Sequence, residues 1–394
     1  MHFVGLLAIM IAGAANDNLV KTAFVVAISA LSWNVYGLDA VVLANLAALS
    51  FIIPFVVLAG FAAHKANQQP PKRWLLILKT MELGLALLAC LAILEELPGL
   101  LLLCVAGFGV QSALIGPLKY SLIPRLVASS QIVEKNAWME TGTFVAILVG
   151  TLLAADWIIA APELLIAMII VLAVIGCLCI IMMPSLSGRS QSIQKTLPEL
   201  IHQQRQDQRS MAAIWCLSGF WGLGSVWLTH LPVLAVDVWQ LSPSSVSTLL
   251  SHFVLGIALG AFAGVLMKHF PLVHRILMGA VTMVIGGFMI QINDYQIASI
   301  GLMLTSAGGG FLALPLYTLL QDDLMAVAER IAVNNIANAL MMITAAMTSL
   351  IVVGLLELPL QLWLLFLSIG QFFLCFYHRG NLRLGQGLRW WWHL

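Results

Sequence analysis

Charge is what this sequence has least of. Only 9% of its 394 residues are Asp, Glu, Lys or Arg, against about 25% in an ordinary soluble domain. With 61% hydrophobic residues and a mean hydropathy of +1.01, the chain has no aqueous fold open to it and reads as a polytopic membrane protein. Cysteine is also sparse. All six fall inside apolar runs, and Cys177 and Cys179 stand two apart on one helix, so they point to different faces. Neither a disulfide framework nor a metal or cofactor site is expected. No Ser-His-Asp, metal-ligand or nucleotide-loop pattern is visible, so no enzyme is expected. The absence of a soluble basic domain argues against nucleic acid as a partner. The first apolar run carries polar residues and outlasts a signal peptide, so no cleavable leader is expected.

What is present is a series of apolar runs, each near the roughly 20 residues that a span requires. They fall at 3–31, 38–63, 74–94, 98–121, 135–156 and 162–183, and then at 211–236, 243–267, 276–292, 296–320, 331–354 and 358–378. The one long polar stretch, "PSLSGRSQSIQKTLPELIHQQRQDQRS", separates the sets. The expected organisation is a six-helix half over 1–183, a cytoplasmic linker over 184–210, a second half over 211–378 and a cytoplasmic tail over 379–394. Three of the eighteen basic residues, Lys21, Lys79 and Lys119, lie within or at the ends of apolar runs; the rest fall in alternate loops or the tail. The opposite loops hold Asp39, Glu95, Glu96, Glu163, Asp237, Asp294 and Glu357 and no basic residue. The bias of Lys and Arg puts both termini and the linker in the cytoplasm.

The halves echo each other. "GPLKYSLIP" (116–124) and "KNAWMETGTF" (135–144) correspond to "ALPLYTLLQ" (313–321) and "VNNIANALMM" (333–342), and Pro117 to Asn136 spans the same 19 residues as Pro315 to Asn334. This register aligns Glu140 with Asn338 and Lys119 with Tyr317. An all-α fold of the major facilitator layout follows, two six-helix halves with pseudo-two-fold symmetry and a substrate cavity near the midplane.

Ionisable groups at mid-membrane cost about 2.5–3.5 kcal/mol on insertion scales and mark function by default. Asp17 and Lys21, four apart in "GAANDNLVKTAF" (13–24), share a helix face and can pair, as a headgroup site or as an interhelical brace. Lys79 is expected to snorkel to the cytoplasmic end, with Glu82 as its structural partner. Lys119 closes the fourth span and Glu140 lies early in the fifth. The second half offers the uncharged Thr229, His230, His252, Asn334, Asn335 and Asn338, with the two histidines read first as satisfied bundle residues. The run Gly308–Gly310 is expected to let helices approach closely. Fixed charges of both signs beside apolar surface suit an amphiphilic, zwitterionic substrate, with a phosphate on Lys119 and an ammonium near Asp17 or Glu140.

"GAANDNLVKTAF", "GPLKYSLIPRLV" (116–127) and "KNAWMETGTFVAILVGTLLAADW" (135–157) resemble the lysophospholipid transporters of Gram-negative bacteria. "SGFWGLGSVWLTHLP" (218–232) and "ERIAVNNIANALMMI" (329–343) are similar to the transporter domain that some bacteria fuse to a 2-acylglycerophosphoethanolamine acyltransferase. The resemblance implies a monomeric carrier of the inner membrane. It would move lyso-phosphatidylethanolamine, and lyso-phosphatidylglycerol with it, from the outer to the inner leaflet without ion gradient or ATP, for re-acylation by a separate acyltransferase. Asp17 and Asn18 match the family's acidic-Asn pair, Lys119 and Tyr120 its span-four motif, and Glu140 its span-five acid. The family's span-seven Arg falls near Leu228, where His230 is the nearest substitute. Lys21, His230 and Asn338 complete the expected substrate-binding set. The competing expectations are a proton-coupled exporter of cationic amphiphilic compounds, in which Asp17 and Glu140 titrate, and a non-transporting partner of the acyltransferase.

Overall fold

The computed structural model describes residues 2–383 apart from 36, 39, 189–195, 241–244, 293 and 324–325. Asp39, Arg189, Lys195, Arg389 and the terminal tryptophan run therefore lie outside the described residues. The first helices are α1 (His2–Ala30), α2 (Ala40–Val57), α3 (Ala59–Gln68), α4 (Pro71–Leu94), α5 (Pro98–Leu126), α6 (Ile132–Ala160) and α7 (Pro162–Leu178). The short α8 (Leu197–Gln206) lies in the linker region. It precedes α9 (Gln208–Val233), α10 (Ser245–Leu266), α11 (Leu272–Met289), α12 (Tyr295–Leu320), α13 (Val327–Ser349) and α14 (Leu360–Arg383).

Among the described residues, eleven of these helices are long and apolar enough to cross a membrane, and α2 with α3, bent by 56° at their junction, bring the number to twelve if the pair is one span. The expected second span, 38–63, is thus broken. Leu58 leaves helical geometry at φ −94°, ψ 0°, although its N–H still reaches the Pro54 carbonyl at 2.9 Å. Pro54 has already removed one donor from the preceding turn, which makes the break less costly there.

Two compact units result. The first comprises residues 1–129, 142–197 and 324–335; the second comprises 130–141, 198–323 and 336–394. The start of α6 therefore packs with the second unit, where Ala137 meets Ala261 and Leu314. The reason is polar as well as apolar. Asn136, fully buried, exchanges two hydrogen bonds with Gln321, at 3.1 and 3.0 Å, and donates to Thr318 at 3.3 Å.

The first unit has one large apolar core along α1, α2, α4, α5 and α7, with Phe24, Leu101, Phe108 and Ile169 fully enclosed. Its Val/Leu/Ala composition explains the packing, since helices in lipid associate through fitted van der Waals surfaces. In the second unit the glycine run of α12 works as expected. A Cβ at Gly308 would meet the Gly279 carbonyl of α11, one at Gly309 the Phe220 ring of α9, and one at Gly310 the Ile257 carbonyl of α10. Three neighbours approach α12 at three successive residues, which 100° steps around a helix allow.

Candidate functional site

Half-way along α1, polar residues replace apolar ones, and the first unit absorbs each differently. Asn16 turns into the bundle and donates to the Ile169 carbonyl of α7 at 3.1 Å. Asn18 bends back to the Ala14 carbonyl of its own helix at 2.8 Å. Asp17, 8% exposed, accepts a short hydrogen bond from the Ser112 hydroxyl of α5. Its other carboxylate oxygen is buried without a hydrogen-bond partner among the described residues. An acceptor in that position is expensive in a low-dielectric interior.

Beneath this turn lies an ion pair. Lys79 and Glu82 of α4 meet at 2.6 Å, and Gln111 of α5 donates to the same Glu82 oxygen at 2.9 Å. Gly13 and Gly176 admit the lysine: a Cβ on either would stand 2.8 or 3.4 Å from its ammonium nitrogen. Lys79 does not snorkel. Its side chain is 1% exposed, because Glu82 and two glycines make the interior a better environment than the climb to the interface. Glu82 is its partner, as expected.

Asp17 and Lys21 do not form the ion pair their spacing allows. Ser112 takes the carboxylate, and the Lys21 ammonium lies 5.4 Å from the centre of the Phe51 ring of α2. It stands at the edge of a cavity of about 390 Å³ between α1, α2 and α6, walled by Val25, Ala44, Ala47, Ala48 and Ile52 beside Phe51. The hydroxyl-bearing residues there are Thr22 and Thr151.

Lys119 follows Ser112 by seven residues on α5, two turns along the same face and so about 10 Å away. Its ammonium donates to the Thr143 hydroxyl of α6 at 3.2 Å and lies 4.8 Å from the Tyr120 ring. Because α1 and α5 are antiparallel spans, Lys21 and Lys119 flank the Asp17–Ser112 contact on opposite sides along the membrane normal. Asp17, Lys21, Lys119 and the buried Tyr120 thus share the first unit. Glu140, also buried, falls in the second.

The second unit offers neutral groups. Asn338 of α13 accepts from the buried Ser218 hydroxyl of α9 at 2.9 Å, and the Trp221 indole donates to the Tyr317 hydroxyl at 2.8 Å. The His230 ring donates through Nδ1 to the Val226 carbonyl one turn back at 2.9 Å, and the His252 ring is bonded to Ser299 at 2.6 Å. Both histidines are satisfied within their bundle. Ser112, Gln111, Thr143, Phe51 and Trp221 escaped the reading of the sequence. For Ser112 there was a signal, its heptad spacing from Lys119. For Phe51 and Trp221 there was none, since aromatics are common throughout such helices.

No protein-family model matches the chain. The lysophospholipid transporter LplT of Yersinia pestis (strain Pestoides F) is 27% identical over 370 residues, 86% of this chain and 89% of its own length. That of Yersinia pseudotuberculosis (serotype I, strain IP32953) has the same figures. Among solved structures, the Escherichia coli fucose:proton symporter FucP aligns with a TM-score of 0.74 at 12% identity, covering 95% of this chain and 98% of that one. The human organic anion transporter MFSD10 aligns at 0.72 and 12%, covering 96% and 100%.

The chain has the major facilitator fold. Eleven of the described helices are long and apolar enough to cross a membrane, and the similarity to lysophospholipid transporters extends across most of the chain. The arrangement of the first unit has a direct chemical meaning. Asp17 supplies an acceptor that is short of donors, and Lys21 and Lys119 supply cations above and below it. A zwitterion of matching span would satisfy both signs at once.

Proposed function

We propose that this transporter moves lysophospholipids, with lyso-phosphatidylethanolamine as the chief substrate and lyso-phosphatidylglycerol accepted, from the outer to the inner leaflet of the bacterial inner membrane. The observation that carries the reading is the 27% identity to lysophospholipid transporters over 86% of the chain. The presence of Asp17, Lys119 and Tyr120 together in the first unit, with Asp17 bonded to Ser112 and Lys119 to Thr143, supports it. Asp17 receives the ammonium and Lys119 the phosphate; Glu140, Asn338 and His230 are the second unit's own candidates for contact with the substrate. Both termini and the linker lie in the cytoplasm, where the basic loops are, and a separate acyltransferase on that side restores the second chain. Access alternates, lipid enters laterally because it starts in the membrane, and no ion or ATP drives the flux.

Uptake of labelled lyso-phosphatidylethanolamine by spheroplasts expressing the chain tests this. A gain over vector control that survives an uncoupler is expected; no gain rejects the reading.

A second reading has one observation in its favour. The unpartnered Asp17 oxygen is a place where a proton would remove an uncompensated charge, as in a proton-coupled exporter of cationic amphiphiles. In that case the uncoupler abolishes transport.

A further inference from the structure

The headgroup assignment above gives the phosphate to Lys119, and the cavity beside Lys21 has no part in it. We infer that Lys21 and this cavity form a separate loading station, which takes the phosphodiester of a monoacyl amphiphile on the Lys21 ammonium and the first part of its chain against the α2 wall. This rests on the lysophospholipid reading and adds a second phosphate position to it.

The charge argument comes first. Among the described residues Lys21 has no carboxylate within ion-pair distance. Its nearest candidate, Asp17, one turn back on the same helix, bonds Ser112 through one oxygen and does not pair with the ammonium. What the ammonium has is the face of Phe51 at 5.4 Å, a cation–π contact. A phosphodiester oxygen at hydrogen-bond distance is a stronger partner for the same cation. A half-buried cation at the mouth of a cavity, with its nearest carboxylate beyond ion-pair distance, has room for a closer anion.

The wall decides what the anion is attached to. Ala44, Ala47 and Ala48 follow one another at helical spacing along α2, so one face of the cavity is smooth and narrow, with Val25 and Ile52 closing it. The space of about 390 Å³ lies within the roughly 300–1,000 Å³ of small-molecule sites. It equals on the order of thirteen water volumes. Water held there has Thr22, Thr151 and the ammonium for company and little else, so an alkyl segment that displaces it gains free energy. An inorganic anion would leave this wall uncovered, and an uncharged amphiphile would leave Lys21 unanswered. A monoacyl phosphodiester answers both.

Position gives the station its place in the cycle. Lys21 is one turn from Asp17 in one direction and Lys119 about two turns from Ser112 in the other, so the phosphate has two cations to occupy in succession while the ammonium stays near Asp17. With the amino terminus in the cytoplasm, Lys21 is the outer of the two.

Binding to the purified full chain in detergent, read by native mass spectrometry, tests the station with palmitoyl lyso-phosphatidylethanolamine, monopalmitoylglycerol and inorganic phosphate as probes. Lys21→Met is expected to weaken the lysophospholipid about tenfold, the scale of one charge-assisted contact, and to leave monopalmitoylglycerol unchanged. Lys21→Arg, which keeps the charge, is expected to restore binding. Ala48→Phe is expected to weaken both chain-bearing probes. Lysophospholipid binding that Lys21→Met leaves at the wild-type level overturns the station while the transport reading stands. Displacement of lysophospholipid by inorganic phosphate at equal concentration overturns the role of the chain. Failure of the wild-type chain to bind lysophospholipid at all overturns station and transport reading together.

Discussion

Lys79 and Glu82 meet at 2.6 Å in the interior of the first unit, and neither side chain exposes more than 1% of its surface. The pair is held by Gln111 from the next helix and faces Gly13, three residues before the polar turn of α1. It ties α4 to α5 directly beneath α1.

Removing one partner leaves the other charge buried. Lys79→Met or Glu82→Leu alone is expected to destabilise the protein by about 3–5 kcal/mol, and the double substitution by distinctly less. Thermal unfolding of the purified variants in one detergent measures this. Additive losses would mean that the two charges are not coupled.

Asn136 and Gln321 form a closed amide pair in the second unit. Asn136→Ala orphans the Gln321 amide and is expected to cost about 1–3 kcal/mol. A double-mutant cycle with Gln321→Leu should return a coupling of at least about 0.5 kcal/mol.

Glycine substitutions separate close packing from helix propensity. A Cβ at Gly260 would collide with the Ala307 carbonyl of α12, whereas one at Gly84 or Gly370 meets nothing within 4 Å. Gly260→Ala is expected to destabilise by about 1–3 kcal/mol. Gly84→Ala and Gly370→Ala should stabilise by about 0.5–1 kcal/mol. Melting temperatures of the three variants decide it.

At the candidate site, Asp17→Asn preserves shape and removes charge. Lysophospholipid uptake is expected to fall about tenfold or more with unfolding temperature little changed. Ser112→Ala should lower uptake in the same direction, because Asp17 then loses the one hydrogen-bond donor it has among the described residues. Unaltered uptake in both variants would remove Asp17 from the headgroup assignment.

Much of the architecture was legible from hydropathy, because a span is a local, one-dimensional property: about 20 residues either are apolar enough or are not. The break at Leu58 was not legible. Pro54 marked a weak point in the helix, but the 56° bend depends on what α2 and α3 each pack against. The glycine run of α12 was legible as a packing device, since three small residues in succession have few other uses in a membrane helix.

Which ionisable groups lie within apolar runs was set by sequence; whether each is buried, as Lys79 is, and what it pairs with were not. Asp17 stood four residues from Lys21 and bonded to Ser112, 95 residues away. Lys79 stood near an interface and turned inward. Asn136 found Gln321 across 185 residues. Composition and periodicity alone determined that this chain has a series of membrane-spanning segments and that a few mid-span charges need an answer, since an ionisable group deep in hydrocarbon is costly whatever its neighbours in sequence. Only tertiary packing decided who answers whom, because a hydrogen bond is made over about 3 Å and helix faces reach that distance only after the bundle has closed.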